Sequence, residues 1–345
     1  MLLKVDPATA LLVGIIVLII LSLALLPGKG LFPRVIRWRL NNKRILLEDA
    51  LKYIFDCAYK NYSCGLNSIA GNLNISADKA THIIEHLKSV GLIEIKQDCI
   101  LLTEAGKSYA LKIIRIHRVW ERYLADETGV GHIEWHGEAD TMEHQMTLEK
   151  ADEMAARLGN PVFDPHGDPI PSSGGDFPTP TGQPLSTLEE GEIARIIHIE
   201  DEPHAIYAQL SAMDLYPGAQ VYMVDVSEEK IHFAVNGEEC VLTPLFASNI
   251  TVKKMPGQEP IQEKHPLLSS LKIGEKAEVV SISPKCRGQE RRRLMDLGVI
   301  PGTVISAELV SASGDPTAYK VMGATIALRK SQADTILIHP LNEEQ

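Results

Sequence analysis

Residues 75–91, ISADKATHIIEHLKSVG, decide how the first folded part of this chain is built. Ser76 is a helix-capping residue, apolar positions recur at Ala80, Ile83, Ile84, Leu87 and Val90, and Gly91 is a helix stop. The stretch therefore reads as one capped amphipathic helix. Upstream, LLEDALKYIFDCAY (46–59) and LNSIAGNL (66–73) carry helical spacing. Downstream, LIEIKQDCILLT (92–103) holds two β-prone runs around a polar Gln97-Asp98 turn. Helix, tight turn, capped helix and hairpin together predict a winged helix-turn-helix over 45–110. A small helical domain with a stray hairpin has the same periodicity.

At 345 residues the chain is long enough for two to four domains, and its formal charge of −11 gives no support for a nucleic-acid protein. The five cysteines (57, 64, 99, 240 and 286) form no C-x-x-C pair and no secreted-type framework, which suits reduced, buried thiols. Ahead of the winged helix, ATALLVGIIVLIILSLALL (8–26) is free of charge and as a helix spans about 28 Å, near the hydrocarbon thickness of a bilayer. Lys29, Arg34, Arg37, Arg39, Lys43 and Arg44 follow it. The expectation is a single-pass anchor in the cytoplasmic (inner) membrane, with a basic juxtamembrane segment to residue 44 and everything downstream in the cytoplasm.

After the hairpin, EAGKSYALKIIRIHRVWERYLADETG (104–129) reads as a long helix on which His117 and Glu121 share a face. In EADTMEHQM (138–146), Asp140, Glu143 and His144 also converge on one helical face, and His136 stands one turn before Asp140. Such a set is either a cation site or a solvated, ion-paired surface. Nitrogen and oxygen donors without thiolates suit manganese or ferrous iron. No H-E-x-x-H pair, glycine-rich phosphate loop or evident nucleophile accompanies the cluster, so no enzyme is expected.

A proline- and glycine-dense connection, DPHGDPIPSSGGDFPTPTGQP (164–184), leads into two units of similar length, 185–255 and 266–341. Both carry L-x-x-L-x-x-G-E, a β-rich run, a Met-Asp-Leu string and a Pro-Gly pair, the mark of an internal duplication. Each unit reads as a small β-barrel with one short helix. The run Arg291-Arg292-Arg293 in the second is either a contact for phosphate or an acidic partner, or the polar face of that helix.

The sequence RIHRVWERYLADETGVGHIEWHGEADTMEHQMT (115–147), preceded by the winged helix and followed by GDPIP, resembles the metal-dependent repressors of the diphtheria toxin repressor and manganese transport regulator family. The resemblance covers residues 45–171. It implies a DNA-binding winged helix (45–110) and a metal-binding, dimer-forming domain (111–171). By position it implies a primary cation site of Asp49, Asp140, Glu143 and His144 and an ancillary site of His117, Glu121 and His136. Asp140 stands where iron-type members have cysteine. Lys52 stands where manganese-type members carry another carboxylate, which implies two separated positions. The two C-terminal units, joined by linkers 172–184 and 256–265, resemble the FeoA domain, the second more closely through LMDLGVIPGT (294–303). Related repressors lend oxygen ligands from this barrel, which makes His198, Glu200 and Asp201 candidates here.

The expected architecture is thus multidomain α+β: membrane helix, winged helix, helical metal domain and two FeoA-like barrels. The expected function is a homodimeric, membrane-anchored, manganese- or ferrous-iron-dependent transcription regulator of metal homeostasis, reading DNA through Ser76, Lys79, Thr81, His82 and Lys88. The other reading is a metal sensor or accessory protein of a metal transporter that does not bind DNA. It draws on charge: no arginine lies between Glu48 and Ile114, and Asp78 and Glu85 share the recognition face.

Overall fold

The computed structural model describes residues 31–97, 99–178, 181–235, 238–257, 265–284 and 286–341, with side chains from Lys43 onward. Contacts divide the chain into two compact units, one ending at Ile113 and the other starting at Ile114.

The first unit holds α1 (Leu31–Tyr59), α2 (Leu66–Asn72), α3 (Ala77–Ser89) and the antiparallel hairpin β1 (Ile93–Lys96) and β2 (Cys99–Leu102). Ser76 is extended and its side chain accepts the Lys79 N–H, while Asp78 in the first turn and Lys88 in the last complement the helix dipole. Ala80, Ile83, Ile84 and Leu87 are buried as the spacing requires. Val90 is not: it is 53% exposed, because the helix ends at Ser89 and Val90 is its C-cap. Gly91, at φ +74°, turns the chain, and the Leu92 N–H closes back on the Leu87 carbonyl at 2.9 Å. The hairpin is tied to the loop before α2 by the Ile100 N–H donating to the Cys64 carbonyl at 2.9 Å.

At Gly106, near the start of α4 (Glu104–Glu127), an added Cβ would stand 1.9 Å from the Leu92 carbonyl oxygen. Gly106→Ala is therefore expected to destabilise this unit by about 1–3 kcal/mol, the usual cost of overpacking. Chemical denaturation of the variant checks it, and an unchanged midpoint contradicts the close approach.

The second unit continues α4 and adds α5 (Trp135–Glu143) and α6 (Leu148–Arg157). The loop that follows is pinned to α4 by two arginines. Arg115 reaches Asp152 and the Pro171 carbonyl, and Arg118 reaches the Pro169 carbonyl and Asp168. At its apex, Asp164 accepts the N–H groups of His166, Gly167 and Asp168, each at 2.9 Å. The turn is thereby fixed before the first β-domain begins.

That domain comprises β3 (Gln183–Pro184), β4 (Ile193–Ile199), α7 (His204–Ala212), β5 (Gln220–Val226), β6 (Ile231–Val235), β7 (Glu238–Leu242), α8 (Pro244–Ala247) and β8 (Ile250–Lys254). Its sheet order is β3-β8-β4-β5-β6-β7. Leu242 of β7 and Val252 of β8 are far apart in this ladder yet share one core, so the sheet curls on itself. The second β-domain repeats the plan: β9 (Lys276–Ile282), α9 (Gly288–Asp296), β10 (Val304–Val310), β11 (Thr317–Val321), β12 (Ala324–Leu328), α10 (Lys330–Ala333) and β13 (Ile336–Leu341), in the order β12-β11-β10-β9-β13.

The duplication extends to irregularities. β5 slips register on β6 between Met223 and Asp225, and β10 slips on β11 between Ala307 and Leu309. The Met-Asp-Leu strings, however, do not superpose. The nine-residue helices α7 and α9 each lead to a left-handed residue, Asp214 (φ +67°) and Gly298 (φ +87°), which sets Met213 opposite Leu297 and displaces the strings by two positions.

The expected inner-membrane location and membrane partner are corrected at this point. Residues 8–26 lie outside the described residues, and among those described no helix is long and apolar enough to cross a membrane. The two long helices fail for a physical reason. α1 carries Lys43, Arg44, Glu48, Asp49, Lys52 and Asp56, and α4 is charged along most of its turns; each such group costs about 2.5–3.5 kcal/mol or more at a bilayer centre.

Candidate metal centre

α4 brings His117 and Glu121 one turn apart into the interior of the second unit, where both are buried. Opposite them α5 presents His136, Asp140 and Glu143, with His144 as its C-cap. His117 is held at both ring nitrogens: Nε2 lies 3.1 Å from Glu121 Oε1, and Nδ1 lies 2.6 Å from Glu143 Oε2 and 3.5 Å from Asp140 Oδ1. His144 Nε2 stands 3.6 Å from the other Glu143 oxygen. Asp140, Glu143 and His144 are thus gathered on the Nδ1 side of His117.

His136 faces carboxylates on both edges. Its Nδ1 is 2.8 Å from Asp201 Oδ2 and 3.5 Å from Glu121 Oε1; its Nε2 is 3.4 Å from Asp140 Oδ2 and 3.3 Å from Glu202 Oε1. Asp201 and Glu202 follow β4, so the first β-domain supplies acid to a cluster whose imidazoles come from the helical domain. His166, from the Asp164 turn, points Nε2 at Glu121 Oε1 from 3.8 Å.

Among the described residues of this unit, two sets of donor atoms lie within 4.8 Å of one another: His117, His136 and Asp140, and Glu121, His136 and Asp201. They share His136, but the distances assign its Nε2 edge to the first and its Nδ1 edge to the second. The second set has the stronger claim to a cation. Among the described residues, Glu121 Oε1, His136 Nδ1 and His166 Nε2 are all buried and make no hydrogen bond: the contacts of Glu121 with His117 at 3.1 Å and of His136 with Asp201 at 2.8 Å are close without being directed, and His166 stands too far off at 3.8 Å. A buried, undirected group of lone pairs is costly unless something positive sits among them. The residues present fit a divalent ion of the manganese or ferrous type.

The electrostatics agree. Burial pulls His136 toward its neutral form, but Asp201, Glu121 and Glu202 around it hold its pKa well above the ordinary imidazole value. Burial is the largest single influence on Glu121 and Asp201 and works against ionising them, but the imidazoles together outweigh it, His117, His136 and His166 for Glu121 and His136 with His166 for Asp201, leaving both below the usual carboxylate range. Protonated imidazoles occupy the electrostatic role that a bound cation would take. One layer out, Asp164 is pushed up by burial and by Asp168, while Asp168, paired with Arg118 and with His198 at 3.3 Å, is held down despite its burial.

Of the other expected site residues, Asp49 lies on α1 in the first unit. Glu200 is not in either donor set of this unit; its N–H donates to the Asn249 carbonyl, and its neighbours Asp201 and Glu202 approach the cluster instead. His198 contacts Asp168 rather than the cluster. Ser76, Lys79, Thr81, His82 and Lys88 lie on the exposed face of α3, where the Thr81 hydroxyl donates to the Ala77 carbonyl and His82 is 3.6 Å from Glu85. His166 and Glu202 escaped the sequence reading; the only hint was a histidine inside the DPHGDP turn, in a stretch whose composition says linker.

Comparison with known proteins turns on residues 103–172, which match the family model for the iron dependent repressor, metal binding and dimerisation domain. Residues 183–254 and 267–340 match the FeoA domain. The chain carries a repressor-type metal-binding domain and two FeoA domains. Among similar proteins is the iron-dependent repressor IdeR of Mycobacterium tuberculosis, 32% identical over 122 residues, which are 35% of this chain and 53% of that protein. The chain thus spans about half the length of that curated relative. The diphtheria toxin repressor of Corynebacterium diphtheriae is 26% identical over 198 residues, 54% of this chain and 87% of that one. A manganese-dependent transcriptional repressor solved with manganese superposes with a TM-score of 0.56 at 28% identity, covering 60% of this chain and 99% of that chain. The repressor-type domain provides the imidazoles of the cluster, and the first FeoA domain provides Asp201 and Glu202.

Proposed function

We propose that this chain is a homodimeric transcription regulator whose DNA binding responds to a divalent cation, manganese or ferrous iron, and which thereby serves metal homeostasis. The observation that carries this reading is the trio of buried atoms Glu121 Oε1, His136 Nδ1 and His166 Nε2, which make no hydrogen bond among the described residues and gather beside Asp201. His117, Glu121, His136 and Asp201 would hold the ancillary cation, and Asp140, Glu143 and His144 would supply the second unit's ligands to the primary one. The bound ion supplies positive charge among carboxylates that imidazolium protons otherwise balance. No catalysis is involved.

The chain's own residues set the response. His117 bridges Glu121 and Glu143 and so joins the two positions. Asp201 makes the arrangement of the first FeoA domain part of the ancillary site. Regulation follows only from a difference in cation affinity between DNA-competent and incompetent arrangements. The exposed face of α3 is the element offered to a major groove.

Cation uptake is expected to strengthen as pH rises from 5 to 8, by about tenfold in Kd per pH unit for each proton displaced. The sign follows from the raised pKa of His136, whose proton competes with the cation. Calorimetry at several pH values reads it, and a pH-independent Kd contradicts displacement. For the function itself, a gel shift of the full chain on its own upstream DNA should show a complex with manganese or ferrous iron that chelator removes and salt weakens. No complex at low salt with metal present overturns the DNA-binding reading.

A further inference from the structure

A second polar cavity, distinct from the metal cluster, opens between the end of α4, the end of α6 and the start of α9 in the second FeoA domain. It is open to solvent, has a volume of about 510 Å³ and, among the described residues, is lined by Arg122, Arg157, Arg287, Arg291 and Arg292 against two carboxylates, Asp126 and Glu127. The excess is three positive charges. Some of this basicity is internally engaged: Arg122 Nε lies 2.6 Å from Asp126, Arg292 forks onto both Glu127 oxygens, and Arg291 donates to the Ile282 and Ser283 carbonyls.

Arg287 is different. Its Nε donates to the Pro284 carbonyl, but its Nη1 is buried without a hydrogen-bond partner among the described residues. Burial and the neighbouring charge of Arg122 both work against its ionisation. Arg122 Nε, although 2.6 Å from Asp126, likewise makes no hydrogen bond among the described residues, so two part-buried guanidiniums that repel one another, with Asp126 as their nearby counter-charge, keep donors open to an anion. The cavity is built at a close contact, since a Cβ on Gly288 would fall 2.3 Å from the Thr128 carbonyl oxygen, so its walls are held by backbone packing.

We propose that this cavity is a binding site for a small polyanion of phosphate chemistry, held by Arg287 with Arg122 and Arg157. Guanidinium forks match phosphate oxygens in pairs, and guanidiniums arriving from three elements suit a tetrahedral group better than a planar carboxylate. The volume falls in the small-molecule range. An excess of three charges selects a multiply charged ligand, such as free pyrophosphate or the diphosphate of a nucleotide.

Inorganic pyrophosphate and ADP are titrated calorimetrically into the metal-free full chain, so that chelation contributes no heat. One-to-one saturable binding of either is expected, with the tighter one naming the source of the phosphate. Arg287→Ala and Arg157→Ala should each weaken it about tenfold or more; Arg157 is exposed, so its variant keeps the test valid should Arg287→Ala fold poorly. Absence of saturable binding by both ligands at low salt, or unchanged affinity in the folded Arg157 and Arg287 variants, overturns the assignment.

Discussion

Alanine at position 167 should unfold the contact between the repressor-type domain and the first FeoA domain at a cost of about 2–5 kcal/mol. Gly167 adopts φ +100°, a conformation that costs an L-residue about 1–2 kcal/mol. An added Cβ would stand 2.0 Å from the Ile197 carbonyl oxygen and 2.8 Å from the His198 Cα, both backbone atoms of β4, and relieving such overpacking costs a further 1–3 kcal/mol or about that. The local ladder would suffer too, since the Ile199 N–H donates to the His166 carbonyl at 3.0 Å. Because that loop aims His166 at Glu121, the variant should also take up cation more weakly. Thermal unfolding and manganese titration of Gly167→Ala read the two effects. A melting temperature equal to wild type would mean that β4 does not press on the glycine.

The second large effect is expected at His117. Glu121 and Glu143 have side chains only 1% exposed, and His117 lies between them, with Glu121 at Nε2 and Glu143 the nearer of two carboxylates at Nδ1. His117→Ala leaves two carboxylates in a low-dielectric interior without their shared counter-charge. Breaking a buried pair from one side typically costs about 3–5 kcal/mol, and protonation of the acids limits the loss only at low pH. The metal-free variant should therefore melt well below wild type at neutral pH and recover part of the difference in acid. A variant that melts within a degree or two of wild type at pH 7 would show that the carboxylates are not held by this imidazole.

Much of the fold was legible where local chemistry decides it. Ser76, the apolar stripe and Gly91 determine α3 through capping, periodicity and a left-handed stop, all properties of adjacent residues. Val90 escaped because periodicity cannot tell a final helical turn from a cap. The duplication was visible in composition, yet its register was two residues off in the Met-Asp-Leu strings; conformation, Asp214 and Gly298 both at positive φ, is what the repeat preserves there.

The candidate site was half legible for the same reason. His117 with Glu121 and His136 with Asp140 stand at helical spacing, so each pair can be read along one strand of sequence. Asp201, Glu202 and His166 arrive from loops, and only tertiary packing brings them to Glu121 and His136. His198, Glu200 and Asp201 stand together as candidates in the sequence because spacing carries no information about which of these neighbouring side chains turns toward the cluster; Asp201 does, with Glu202 beside it. The triple arginine run was likewise ambiguous until Glu127 and Arg287 were seen beside it.

The claim on which the rest stands is that a divalent ion joins α4, α5 and the first FeoA domain through Glu121, His136 and Asp201. Equilibrium dialysis of the full chain against manganese, with metal counted per protomer, tests it in wild type and in the isosteric Glu121→Gln/Asp201→Asn variant. The prediction is that the folded variant binds one manganese fewer per protomer than wild type. Equal manganese content in the two proteins, or none in wild type, would contradict it.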